Sequence, residues 1–266
     1  TEEEISRMGH LLEEHMKAGA WGMSTGLEYA PSSYGNTEEL TELCRVVAAN
    51  EGIHATHMRN EGDLVLEAID ETIRIARETG VNTQISHFKM AYPRNWHKLD
   101  AAFGKIETAS EEGLQVLADR YPYIAGATGL SLYFPLWAQQ GSTEDFINRL
   151  KDPALDARFR NHYMEQTEKI GTWENVRISF IRNDHNKYLE GMNIVEAARQ
   201  NGQDPFDFMR DLLIEEDNRV GMVTFMMNEE NLHRVLSHPQ VSIGSDGNAV
   251  APYGVLHKGK PHPRFY

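Results

Sequence analysis

Two short apolar runs, each closing on a histidine and then a basic residue, limit what this chain can fold into more than any other feature. The first is Gly52-Ile53-His54-Ala55-Thr56-His57-Met58-Arg59 and the second is Val81-Asn82-Thr83-Gln84-Ile85-Ser86-His87-Phe88-Lys89. Between them, Leu64, Leu66, Ile69, Ile73 and Ala76 recur at the spacing of an amphipathic helix. A strand, a helix and a strand in that order pair in parallel through a right-handed crossover. His57 and His87 then fall at the same end of adjacent strands. Two imidazoles so placed have the geometry of a divalent-metal site, and catalytic zinc sites keep one coordination position open for water. For either histidine alone, a plain hydrogen bond at a strand end is the commoner fate.

The same alternation runs along the rest of the chain. Residues 2–18 read as an amphipathic helix. Ala20-Trp21-Gly22-Met23-Ser24-Thr25-Gly26 reads as a short strand followed by a polar loop with Tyr29 and Tyr34, and Thr37 is placed to cap the next helix. A helix over 99–110 leads to a strand at 113–123, and residues 124–135, rich in glycine and aromatics, read as a loop over a pocket. Residues 141–218 are expected to be mainly helical, interrupted by the apolar run 176–181. A strand candidate at 220–227, a short helix at 229–236 and a last strand at 241–247 complete the pattern. Five strands alternating with helices argue an α/β fold with a parallel sheet, and 266 residues is close to the roughly 250 of an eight-stranded parallel barrel. The helical stretch of about 141–218 is expected to elaborate that one domain, because no linker-like composition marks a boundary.

Forty acidic against 26 basic residues, a net charge of −14, weigh against nucleic acid or an anionic membrane as partner. The single cysteine, Cys44, lies among apolar helix positions and reads as a buried, inert thiol that cannot form an internal disulfide. No signal peptide or bilayer-length apolar run is evident, and a cytoplasmic home is expected. Neither terminus reads as a designed end.

Asp246, in Val241-Ser242-Ile243-Gly244-Ser245-Asp246-Gly247, is a third polar group at a strand end and the natural general base. Such a carboxylate accepts a proton from a metal-activated water and returns it to a leaving amine. Zinc would acidify that water and polarise the carbonyl under attack. Arg59, Lys89, Tyr29, Tyr121 and Arg264 supply cationic and phenolic donors suited to a substrate carboxylate, each with a surface charge or a core tyrosine as its ordinary alternative.

Six ordered motifs carry a family resemblance: Gly22-Met23-Ser24-Thr25-Gly26-Leu27-Glu28-Tyr29-Ala30-Pro31, Thr56-His57-Met58-Arg59, Ile85-Ser86-His87-Phe88-Lys89, Asp119-Arg120-Tyr121-Pro122-Tyr123, Ile243-Gly244-Ser245-Asp246-Gly247 and His262-Pro263-Arg264. From about Ala20 onward the chain resembles the N-acyl-D-amino-acid deacylases, the D-aminoacylases of the amidohydrolase superfamily. The resemblance implies a hydrolase on a TIM-type (β/α)8 barrel, with one or two Zn2+ ions, that splits a small N-acyl-D-amino acid into a carboxylate and a free D-amino acid. It implies His57 and His87 as metal ligands and Asp246 as the catalytic aspartate. It implies substrate contacts from Tyr29, Lys89, Tyr121 and Arg264, to which Ser24 and Arg59 are added as candidates.

The chain also departs from the family. A His-x-His pair after the first strand and a cysteine ligand after the second or third have no counterpart, and the segment that follows His-Pro-Arg in the family is missing. The expectation is therefore an internal fragment holding about the last five strands, with the first strands and a small β-domain absent. Expressed alone, it is expected to be inactive, to bind zinc weakly and to aggregate. Opening of a cyclic amide, as in dihydroorotase- or hydantoinase-like relatives, would call for a bridging carbamylated lysine where this chain has Ser24 and Thr25. A non-catalytic homologue has no physical use for three aligned polar groups. Acyl and side-chain preference is expected to depend on loop shape in residues 124–140 together with residues outside this fragment.

Overall fold

The protein is described by a computed structural model over residues 1–248 and 250–255. Helix α1 (Glu2–Lys17) opens with a capping box, in which the Thr1 hydroxyl accepts from the Glu4 N–H. There follow β1 (Gly22–Gly26), α2 (Thr37–Ala49), β2 (Ile53–His57), α3 (Val65–Thr79), β3 (Asn82–Ile85), α4 (Leu99–Glu111) and β4 (Val116–Arg120). After these come β5 (Ala125–Gly129), α5 (Thr143–Lys151), α6 (Asp156–Ile170), β6 (Val176–Ile181), α7 (Ile194–Gln200), α8 (Pro205–Glu215), β7 (Val220–Phe225), α9 (Glu229–Leu236) and β8 (Val241–Ile243). The cap of α2 is Asn36, whose side chain accepts from the Glu39 N–H; Thr37 is one residue inside the helix.

Strands β1, β2, β3, β4 and β8 form one sheet in that order, parallel throughout. Side chains alternate across it with the period of two that a strand imposes. Ile85, Val116 and Ala118 point to the helical side and pack on Val65, Ile69 and Ile73 of α3, Leu99, Ala102 and Ile106 of α4, and Val235 of α9. Gly22 begins the first strand because nothing larger fits: a Cβ there would lie 1.9 Å from the Ile53 carbonyl oxygen. On the opposite face Ile53 and Leu117 are exposed, at 43% and 49%. That is unusual for a parallel sheet, which is ordinarily covered on both faces.

The two less regular strand candidates do not join this sheet. Val176–Ile181 and Val220–Phe225 pair antiparallel, and β5, which lies in the stretch read as a loop, completes a separate sheet of order β5-β7-β6. Ala125 sits opposite Phe225, so the pairing spans most of the segment that the sequence marks as helical. Helices α5 to α8 share a core with this second sheet, built on Phe134, Phe146, Phe159, Trp173 and Phe206. No helix among the described residues is long and apolar enough to cross a membrane.

His54 is buried on the helical side of β2, where Nε2 lies 3.0 Å from Thr25 Oγ1 and Nδ1 has no partner. Burial lowers its pKa from 6.5 to about 4. A histidine held neutral in the fold but protonated in the unfolded chain leaves stability intact above pH 6.5 and removes it as pH falls toward 4. We expect a loss on the order of 3 kcal/mol across that window, and a flatter acid limb in His54→Gln, read by denaturant titration at several pH values. Equal acid sensitivity in the two proteins would refute the assignment.

Candidate active site

Three polar groups converge where β2 and β3 end. The His57 and His87 rings lie 4.5 Å apart at their centroids, edge to face. Between them enters Glu61, four residues after His57 and only 5% exposed. Donor atoms of His57, Glu61 and His87 all fall within 4.8 Å of one another.

Glu61 is the organising group. Its Oε1 accepts from Lys89 Nζ and lies 2.8 Å from His87 Nδ1, while Oε2 stands 3.9 Å from His57 Nε2. Burial alone would raise its pKa, but the charge of Lys89, then His87 and His57, overrides that cost and holds the carboxyl far below the usual carboxylate range. Lys89 is itself 4% exposed and also donates to the His87 carbonyl at 2.9 Å. The loop that carries these groups is tightly turned. His87 has φ of 42°, in the left-handed region that non-glycine residues enter only when their surroundings hold them there. Asp119 does so, accepting the His87 N–H at 2.7 Å through one oxygen and Gln84 Nε2 at 3.0 Å through the other.

The cluster floors a cavity of about 210 Å³ whose walls include Tyr29, Lys89, Tyr121 and Asp246. The Tyr29 ring lies 4.9 Å from His57 and that of Tyr121 lies 6.3 Å from His87. Burial pushes the Tyr29 phenol up, so it stays protonated as a donor. Asp246 sits at φ 49°, a second left-handed position in the same wall. Glu28, opposite Glu61, reaches His57 Nε2 at 3.0 Å. A larger groove of about 850 Å³ runs along the outer faces of α3 and α4, but its charged groups are engaged in ion pairs such as Lys105–Asp70, Arg77–Glu112 and Arg74–Glu78.

Six of the residues singled out from sequence thus line one cavity: Tyr29, His57, His87, Lys89, Tyr121 and Asp246. Two others lie elsewhere. Arg59 forms a paired contact with Glu71 at 2.9 Å to each oxygen and donates to the carbonyls of Ser33 and Gly35, tying the loop before α2 to α3. Ser24 is exposed in the middle of β1 and is not among the cavity walls. Arg264 lies outside the described residues. Cys44 is buried with Leu40, Val47 and Ile75, and burial pushes its thiol up to about 12. The residues missed are Glu61, Glu28 and Asp119. The one hint for Glu61 in the sequence is its place four residues after His57, in the short loop between β2 and α3; its buried partner Lys89 is distant in sequence.

Two imidazoles and a carboxylate within reach of one point are a donor set that zinc accepts, and three protein ligands leave a fourth position open. The residues present therefore fit a zinc ion.

No protein-family model matches the chain. It is 33% identical over 266 residues to a D-aminoacylase of Alcaligenes xylosoxydans xylosoxydans, covering 100% of this chain and 45% of that protein. An N-acyl-D-glutamate deacylase of the same organism is 30% identical over 259 residues, covering 97% and 43%. Among solved structures, an N-acyl-D-glutamate deacylase from Bordetella bronchiseptica, complexed with zinc and a phosphonate mimic of the tetrahedral intermediate, superposes with a TM-score of 0.75 at 29% identity, covering 100% of this chain and 46% of that one. A D-aminoacylase studied for its binuclear metal centre gives a TM-score of 0.71 at 29% identity, covering 100% and 45%. The chain spans under half the length of the curated relatives it matches.

Proposed function

We propose, for a chain homologous along its whole length to the N-acyl-D-amino-acid deacylases of the amidohydrolase superfamily, that it carries the reaction centre of a zinc-dependent hydrolase cleaving the amide of N-acyl-D-amino acids. The observation that carries this reading is the His57–Glu61–His87 cluster, with Tyr29, Tyr121, Lys89 and Asp246 around one cavity. We read the five parallel strands as part of a (β/α)8 barrel. The exposure of Ile53 and Leu117 on the face away from the helices supports this, since a barrel interior would cover that face.

In this reading His57 and His87, with Glu61 between them, hold the metal. When bound there, zinc polarises the scissile carbonyl and makes water acidic enough to react near neutral pH. Asp246 takes the proton from the attacking water and delivers it to the leaving nitrogen, which would otherwise depart as an unstable amide anion. Tyr29 and Tyr121 offer phenolic donors to the substrate. Lys89, held by Glu61, lies in the cavity wall and offers its ammonium to a substrate carboxylate. Hydrolysis releases a carboxylic acid and a D-amino acid.

The test is hydrolysis of N-acetyl-D-methionine beside its L-enantiomer by the full-length protein, before and after chelation and again after zinc is restored. Amine release from the D-enantiomer only, lost on chelation and regained with zinc, is the expected result. Equal rates on both enantiomers, or turnover indifferent to chelator, would sink the proposal.

A further inference from the structure

A second cavity, of about 330 Å³, opens off the first. The two share Glu28, Tyr29, Tyr92, Thr128, Leu132 and Tyr133 as common wall, so a molecule seated over the histidines can extend from one into the other. The far wall of the second cavity is supplied by α6, through His162, Gln166 and Lys169.

The charges around this cavity are unequal in a specific way. Arg59 also lines it, but its guanidinium is neutralised by the paired contact with Glu71. His162 has Glu165 at 3.6 Å. Asp63, the acid near Lys169, is engaged by Arg94. Lys169 makes no ion pair among the described residues. Its Nζ instead lies 4.6 Å over the Tyr92 ring, and its stem runs alongside Gly62, with Cε 3.5 Å from where a Cβ on that glycine would be. A lysine in the last turn of a helix complements the helix dipole, yet that alone does not call for an ammonium over an aromatic wall between two cavities. Glu28, on the shared wall, disfavours an anion at the near end, so an anionic group is directed to the far one.

We infer that the second cavity is a subsite for a carboxylate at the far end of the substrate, remote from the α-carboxylate, with Lys169 as its cation. The inference rests on the deacylase reading and deepens it: the favoured substrates are dicarboxylates. The second carboxylate can belong to the amino-acid side chain, as in N-acetyl-D-glutamate, or to the acyl group, as in N-succinyl-D-methionine. Both present the same chemistry to Lys169.

The experiment compares kcat/KM for those two substrates with that for N-acetyl-D-methionine, in wild type, Lys169→Met, Lys169→Arg and Lys169→Glu. Loss of one charge-assisted contact should lower the ratio of dicarboxylate to monocarboxylate kcat/KM about tenfold to a hundredfold in Lys169→Met. Lys169→Arg should retain much of the ratio, and Lys169→Glu should turn preference toward N-acetyl-D-lysine. Whichever dicarboxylate responds identifies which arm of the substrate enters. An unchanged ratio in both Lys169→Met and Lys169→Glu would overturn the subsite. If no N-acyl-D-amino acid is turned over at all, the deacylase reading falls on its own, and equilibrium binding of glutarate still reads the cavity. Loss of binding in Lys169→Glu upholds the subsite, and equal binding ends it.

Discussion

Asp246→Asn is expected to lower kcat on N-acetyl-D-methionine by a factor on the order of 10³ while KM changes little, because the amide keeps the shape and polarity of the side chain but cannot take up a proton. The placement of Asp246 supports a proton-transferring role more than a structural one. It lies in the cavity wall at φ 49°, and among the described residues no side-chain hydrogen bond depends on its carboxylate. Asparagine tolerates the same backbone region, so the variant should fold as the parent does. The wild-type limb of the pH–rate profile that reports the base should be missing from the variant. Activity within about tenfold of wild type would remove Asp246 from the reaction, since general-base catalysis is ordinarily worth more than that.

Glu61→Ala is expected to cost about 3–5 kcal/mol of folding stability, the usual result of stripping one partner from a buried charge pair. Lys89, 4% exposed, would be left with an ammonium facing His87 and no carboxylate. Removing both charges in Glu61→Leu/Lys89→Met should recover most of the loss, because no unpaired charge then remains. The pH dependence has a definite sign. Glu61 ionises far more readily folded than unfolded, so its contribution is complete above the unfolded value of 4.5 and drains away as pH falls below it. In the alanine variant that acid-dependent part should be absent. Denaturant midpoints from pH 3 to 7 measure both effects, and zinc affinity, read by competition with a chromophoric chelator, should fall in parallel. A Glu61→Ala protein as stable as wild type would contradict the paired burial of Glu61 and Lys89.

What could be read from the sequence followed how local the cause of each feature is. The strands carrying His57 and His87 were legible because an apolar run, a helix at 3.6-residue spacing and a second apolar run leave one way to pair. The register then brought Tyr29, Tyr121 and Asp246 to the same end without further assumptions. Strand β5 was hidden because Ala125-Gly126-Ala127-Thr128-Gly129 has almost no strand propensity; β7, nearly a hundred residues later, makes it a strand. Strand period puts Ser24 on the same face as Gly26, which stands opposite His57; only the register shows it two residues short of the strand end, opposite Ala55. Glu61 reads locally as a solvated turn residue, since the lysine that draws it inside arrives only after a helix and another strand. Asn36 and Thr37 are both good caps, and adjacent candidates cannot be told apart from composition.

Strand β8 returns to lie against β4 after the chain has made a long excursion through β5, β6 and β7 and their helices. The excursion packs around an aromatic core that Ala91 and Tyr92, from the loop after β3, join. It contributes Thr128, Leu132 and Met226 to the first cavity and Lys169 to the second. In the proposed reading, the metal-binding cluster comes from the loops after the parallel strands and one wall of the cavities comes from the excursion. Exchanging residues 125–225 between homologues should then transfer preference as a block while His57, Glu61, His87, Tyr121 and Asp246 stay in place, the way a tool changes its bit and keeps its motor.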